Sequence, residues 1–149
     1  MSFLDLPADW PHRPLTDPTL VADVLDLVVS DAVRQRGSLV LLLCRSDDRL
    51  AQPCVVDDVD LARHDATHRE ILEPFVALLA QMQSGGSLIV AVTRPSGLRP
   101  TDDDRAWHQA AIDACREGPV PVRLLGVHVV TRDGIERLPD APLPASRAS

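Results

Sequence analysis

The sequence contains no lysine and no tyrosine. All 15 of its basic residues are arginine, against 22 acidic ones, so its 149 residues carry a net charge of −7. Without lysine there is no Schiff-base chemistry, no lysine general base and no Walker-type phosphate lysine. The acidic balance argues against nonspecific nucleic-acid binding, which draws on surplus positive charge. Two Phe and two Trp are too few for an aromatic surface that stacks unpaired bases. The three cysteines, Cys44, Cys54 and Cys115, are widely spaced and include no CxxC pair. That suits reduced thiols better than a disulfide framework or a zinc knuckle. No apolar run is longer than that of Leu39 to Cys44, which falls far short of the roughly 20 residues of a membrane span. The opening MSFLDLPADWPHRPLTDP has neither the basic start nor the apolar stretch of a secretory signal, so a cytoplasmic location is expected.

What is present is enough apolar residue, 45% of the chain, for one globular core. Residues 1–17 are rich in proline and are expected to form an extended arm, pinned by Phe3 and Trp10. Asp17 and Pro18 read as the cap and first residue of a helix over Thr19 to Arg36, stopped by Gly37. The apolar runs Ser38–Cys44 and Leu50–Val56 predict a β-hairpin, with Pro53 marking an edge or a bulge. A second helix is predicted over Thr67 to Gln83 and a central strand over Ser87 to Thr93. A third helix follows over Asp102 to Glu117, with acidic residues in its first turn. Strands are predicted over Val120–Val130 and Ile135–Leu138, with Asp133-Gly134 as the turn between them. Residues 139–149 read as a disordered tail. The class is therefore α/β (α+β): one domain over 18–138, a mixed sheet flanked by three helices in three layers.

The stretch from Leu88 onward resembles the C-terminal half of a RadC-like JAB (MPN-type) domain. The matching residues are Pro95-Ser96-Gly97, Pro100-Thr101, Asp104, the Leu124–His128 strand and Asp133-Gly134. The order of elements before it fits as well, so the resemblance covers about residues 18–138. It implies a JAB/MPN-like (cytidine-deaminase-like) architecture. In the family, a His-x-His pair on the strand and an Asp at the head of the next helix bind zinc. An upstream Glu activates the zinc-bound water. Here the two histidine positions are Val92 and Arg94, and the upstream segment, Arg36-Gly37-Ser38, has no carboxylate. The loop is also one residue shorter than the family's. Only Thr101, in place of Ser, and Asp104 remain. The resemblance thus implies the fold without the metalloprotease chemistry. No catalytic residue, metal ligand or cofactor is expected. The remodelled pocket comprises Val92, Thr93, Arg94, Pro95, Ser96, Gly97, Thr101 and Asp104. An Arg94–Asp104 ion pair is expected there.

Other constellations have a plainer and a sharper reading. His64 and His68, four apart, could ligate a metal from one helix face, but HDATH also reads as a capped helix start. Asp102-Asp103-Asp104 could hold a cation, or simply match the helix dipole. Ser96 and the three cysteines have no evident activating base, and the cysteines lie in apolar context. His128 reads as a core or interface histidine. Three functions follow. The first is a binding or scaffold module for a protein partner or small anionic ligand. The second is a metal-dependent hydrolase whose site has moved to His64, His68 or His128. The third is a DNA-repair-associated protein touching phosphate through Arg94, Arg99 and Arg105. Dimerisation through the hairpin's edge strand is left open.

Overall fold

A computed structural model describes residues 6–57, 67–82, 85–117 and 122–139. Its order is α1 (Pro18–Val28), α2 (Asp31–Arg36), β1 (Leu39–Cys44), β2 (Leu50–Val56), α3 (Thr67–Ala80), β3 (Ser87–Thr93), α4 (Asp102–Glu117), β4 (Arg123–Thr131) and β5 (Gly134–Arg137). The strands form one mixed sheet in the order β2-β1-β3-β4-β5. Only β3 and β4 pair in parallel, and α4 crosses over between them; the other pairs are antiparallel. The α/β class read from the sequence is the class observed.

The apolar runs of β1 and β3 are buried at every residue because the sheet is covered on both faces. Strand alternation divides them. Leu39, Leu41, Leu43, Val90 and Val92 meet α3 and α4, with Trp107 fully buried among them. Val40, Leu42, Ile89, Ala91 and Val130 meet α1, α2 and Leu15 of the N-terminal segment. Each face is a separate apolar core, and the backbone of the sheet lies between them.

The single helix predicted over Thr19 to Arg36 is two helices, so four helices rather than three flank the sheet among the described residues. Val29 and Ser30 adopt extended backbone, and Ser30 Oγ accepts the Val33 N–H at 3.2 Å. Ser30 therefore caps a second helix, and its side chain replaces a bond that continuous helix would have supplied. Gly37, at φ 73°, ends α2 as expected. Arg34 of α2 is nearly buried; it donates to the Thr131 carbonyl at 3.1 Å and to Asp26 at 2.9 Å, which ties both helices to β4.

In the N-terminal segment, Trp10–His12 form one 3₁₀ turn, and the Leu15 N–H donates to Asp48 O at 2.8 Å. Trp10 packs against the α1/α2 core, while Phe3 lies outside the described residues. Ser38 precedes β1, and Pro53 lies on the outer strand as predicted. Pro53 has no N–H to offer an added strand, and Gln52 Nε2 donates to its carbonyl at 3.0 Å, so this edge is blunted. The α3 helix ends at Ala80, before the predicted Gln83, which lies outside the described residues. The β4 strand starts at Arg123, and the predicted start at Val120 lies outside them too, as do residues 140–149 of the tail. The last turn is Arg132-Asp133 rather than Asp133-Gly134. Thr131 pairs with Gly134, whose φ of 138° needs a glycine, and β5 therefore runs one residue earlier than predicted. The register of β4 shifts between Leu124 and Gly126, which leaves Leu125 as a bulge against β3.

Candidate functional site

The end of β3, the loop that follows it and the first turn of α4 meet at one place. Asp104 heads this cluster. Its side chain is 1% exposed, and Arg94 Nη1 donates to its two oxygens at 2.7 and 2.9 Å. The expected ion pair is therefore formed. Asp104 Oδ2 also accepts the Thr101 N–H at 2.9 Å, and Thr101 Oγ1 accepts the Asp104 N–H at 3.1 Å. These two bonds form a reciprocal capping box that satisfies two otherwise orphaned N–H groups at the start of α4. Thr101 and Asp104 thus have a structural task that explains their three-residue spacing.

The rest of the loop is braced. Arg94 Nη2 donates to the Arg99 carbonyl at 3.0 Å, and the Arg94 N–H donates to Val130 O at 3.2 Å. The Pro95 carbonyl accepts the Arg132 N–H at 3.3 Å, and the Gly97 N–H donates to Asp133 Oδ2 at 2.7 Å. Gly97 has φ +90°, and a Cβ there would meet nothing within 4 Å, so its requirement is backbone conformation rather than space. Pro95, Ser96 and Arg99 are exposed.

Of the eight residues expected to share a pocket, Arg94, Thr101 and Asp104 are joined by hydrogen bonds, and Val92 lies in the apolar core on the α3/α4 face of the sheet. Thr93 does not join them. Its hydroxyl, on the opposite face, accepts the Ser38 N–H at 2.6 Å and lies 3.0 and 3.2 Å from the carbonyls of Ser38 and Val33. It pegs α2 and β1 to β3. The reason is the two-residue alternation of a strand. Pro95, Ser96 and Gly97 form the outer loop.

These residues do not fit a zinc ion. Val92 is an apolar core residue, Arg94 is a cation, and both oxygens of Asp104 are already engaged. Among the described residues no group of three or more His, Cys, Asp or Glu could hold a metal. His64 lies outside the described residues. His68 is buried against Trp107, with ring centroids 4.1 Å apart and planes inclined by 33°, which places it in the α3/α4 core. Of the three aspartates, Asp102 is exposed and pairs with Arg105 at 3.0 Å.

His128 is 4% exposed, and its Nδ1 has no hydrogen-bond partner among the described residues. Burial, with the Arg137 charge adding to it, pushes its pKa down to about 4, so the ring is neutral at neutral pH. It borders a cavity of about 230 Å³ beside Thr19 and Glu136. Burial likewise pushes the Cys44 and Cys115 thiols up to about 12 and raises Cys54, so none of the three is an activated nucleophile.

One feature has no local signature in the sequence. A cavity of about 500 Å³ opens between α4 and the β4–β5 end of the sheet, bordered by His108, Ile112, Arg116, Leu124 and Arg137. The i, i+4, i+8 spacing of His108, Ile112 and Arg116 marks one stripe of α4, but Arg137 comes from another strand. No pattern of neighbours announces their meeting.

No family model matches this chain, and no curated protein matches it at a significant level. Among the described residues no helix is long and apolar enough to cross a membrane.

Proposed function

We propose that this chain is a non-catalytic RadC/JAB-like module that binds a protein partner or a small anionic ligand through the loop from Arg94 to Thr101. One observation carries the reading: Arg94 Nη1 sits on both oxygens of Asp104, at the place where the resemblance puts a metal. A guanidinium here takes the electrostatic part of the cation and fixes the loop, but it activates no water. Supporting it are the element order helix, hairpin, helix, strand, loop, helix, strand, and the meeting of positions 94 and 104. The braced loop presents Ser96 and Arg99 to solvent on a rigid frame, which lowers the ordering cost of binding. A cytoplasmic protein with reduced thiols suits this reading.

Two measurements test it. Elemental analysis of untagged protein, before and after incubation with zinc, should find no stoichiometric metal; about one zinc per chain would sink the proposal. The double variant Val92→His/Arg94→His should then acquire zinc, because it restores the ligand set beside Asp104. If the double variant folds and still takes up no zinc, these positions are not the family's site.

A further inference from the structure

We infer that the cavity between the start of α1 and the β4–β5 hairpin is a binding site for a small neutral molecule, one whose carboxamide-like group both accepts and donates a hydrogen bond and stands on a short apolar body. This inference rests on other residues than the loop from Arg94 to Thr101 and does not depend on the family reading. The cavity's volume is about 230 Å³. That exceeds the roughly 150 Å³ that admits benzene to an apolar protein interior. Thr19 and Ala22 border it from one stripe of α1, and His128, Ile135 and Glu136 border it from the sheet.

His128 is the residue that points to a ligand. Strand alternation sets its ring on the same face of β4 as Val130, toward α1. The ring is 4% exposed, it forms part of the cavity wall, and its Nδ1 has no hydrogen-bond partner among the described residues. A buried polar atom left unpaired destabilises the free chain, and a ligand that pairs with the ring relieves it. The imidazole is neutral at neutral pH, so it offers one N–H and one acceptor nitrogen. Glu136 is exposed, makes no ion pair among the described residues and supplies a further acceptor. The Thr19 hydroxyl can donate or accept. Arg137 borders the cavity too, held by its bond to the Leu125 carbonyl at 2.9 Å. Charges of both signs thus stand around the cavity, and a net charge on the ligand meets repulsion from one of them. A carboxamide carries none. Its oxygen accepts from the imidazole or the hydroxyl, and its N–H donates to Glu136. Pro18, Ala22 and Ile135 take the apolar body.

The test is a titration of ¹⁵N-labelled full-length protein with three molecules of one shape, benzamide, benzoate and benzamidine, followed at the Ala22, His128 and Ile135 amides. Benzamide should give saturable shifts there, and the anion and the cation should bind about tenfold more weakly. His128→Phe keeps a flat ring and removes both nitrogens, and it should weaken benzamide binding about tenfold. Glu136→Ala, an exposed substitution that leaves the core untouched, should weaken it about fivefold, and it decides the question if His128→Phe does not fold. The inference is overturned if benzamide gives no saturable shifts, if either charged molecule binds as tightly as benzamide, or if either variant, folded, binds benzamide like the parent.

Discussion

Replacing Arg94 with methionine keeps most of the apolar stem and removes the charge. Asp104 is then a carboxylate, 1% exposed, that has lost the donor to both of its oxygens and keeps only the Thr101 N–H. Breaking a buried pair from one side costs about 3–5 kcal/mol, mostly as the penalty of the charge left behind. The Arg94 side chain is 23% exposed, so water reaches the vacated position and the lower end applies, about 3 kcal/mol. Asp104→Asn should cost less, about 1.5 kcal/mol, because the amide oxygen still accepts from Thr101 and the arginine can turn to solvent. The double variant Arg94→Met/Asp104→Asn leaves no buried charge and should lose only about 1 kcal/mol, less than either single variant. In urea, with a slope of about 2 kcal/mol per molar, the midpoint should fall by about 1.5 M for Arg94→Met and about 0.5 M for the double variant. A fall below about 0.5 M for the single variant, or a double variant no better than the sum of its parts, would refute the pair as the clamp of this loop.

Three further outcomes are expected. Because His128 is held near pKa 4 when folded but titrates near 6.5 when unfolded, the unfolded chain binds more protons between those values. Stability should therefore fall as pH drops from about 6.5 to 4, by about 3 kcal/mol from this residue, and His128→Gln should remove that share of the slope in urea midpoints measured against pH. With thiol pKa values near 12 for Cys44 and Cys115, a native thiol titration at pH 8 should register Cys54 alone, and all three cysteines only after unfolding; rapid reaction of either buried thiol would contradict the packing. Gly86→Ala should destabilise by about 2 kcal/mol or more, since its Cβ would lie 2.7 Å from the Cys44 carbonyl and 2.9 Å from Leu79, and thermal melts should show it more damaging than Gly126→Ala, which meets only movable side chains.

Most of the secondary structure is legible in the chain itself. The β1 and β3 strands are continuous apolar runs bounded by glycine and polar residues, and α4 carries an acidic first turn and a Gly-Pro stop. The break at Ser30 was legible too, as a Ser-Asp cap signal, but the apolar period runs through it on both sides and overrides it in a reading by periodicity alone. The Arg94–Asp104 pair is anticipated by the resemblance, which puts positions 94 and 104 in one pocket, and not by spacing alone.

Three things depended on the tertiary structure. Thr93 stands between Val92 and Arg94 in sequence, yet strand alternation turns its hydroxyl to Ser38 on the other face. His68 became a core residue only when α3 packed on α4 and set it against Trp107. Arg116 and Arg137 share a cavity because the crossover through α4 and the bulge at Leu125 bring a helix end and an edge strand together. Composition, patterning and capping act over a few residues, so the sequence by itself determined the elements, the two-sided burial of the sheet and the absence of lysine chemistry. Which side chains face one another depends on strand register and helix docking. Those are set by contacts distant in sequence, and only the folded chain decided them.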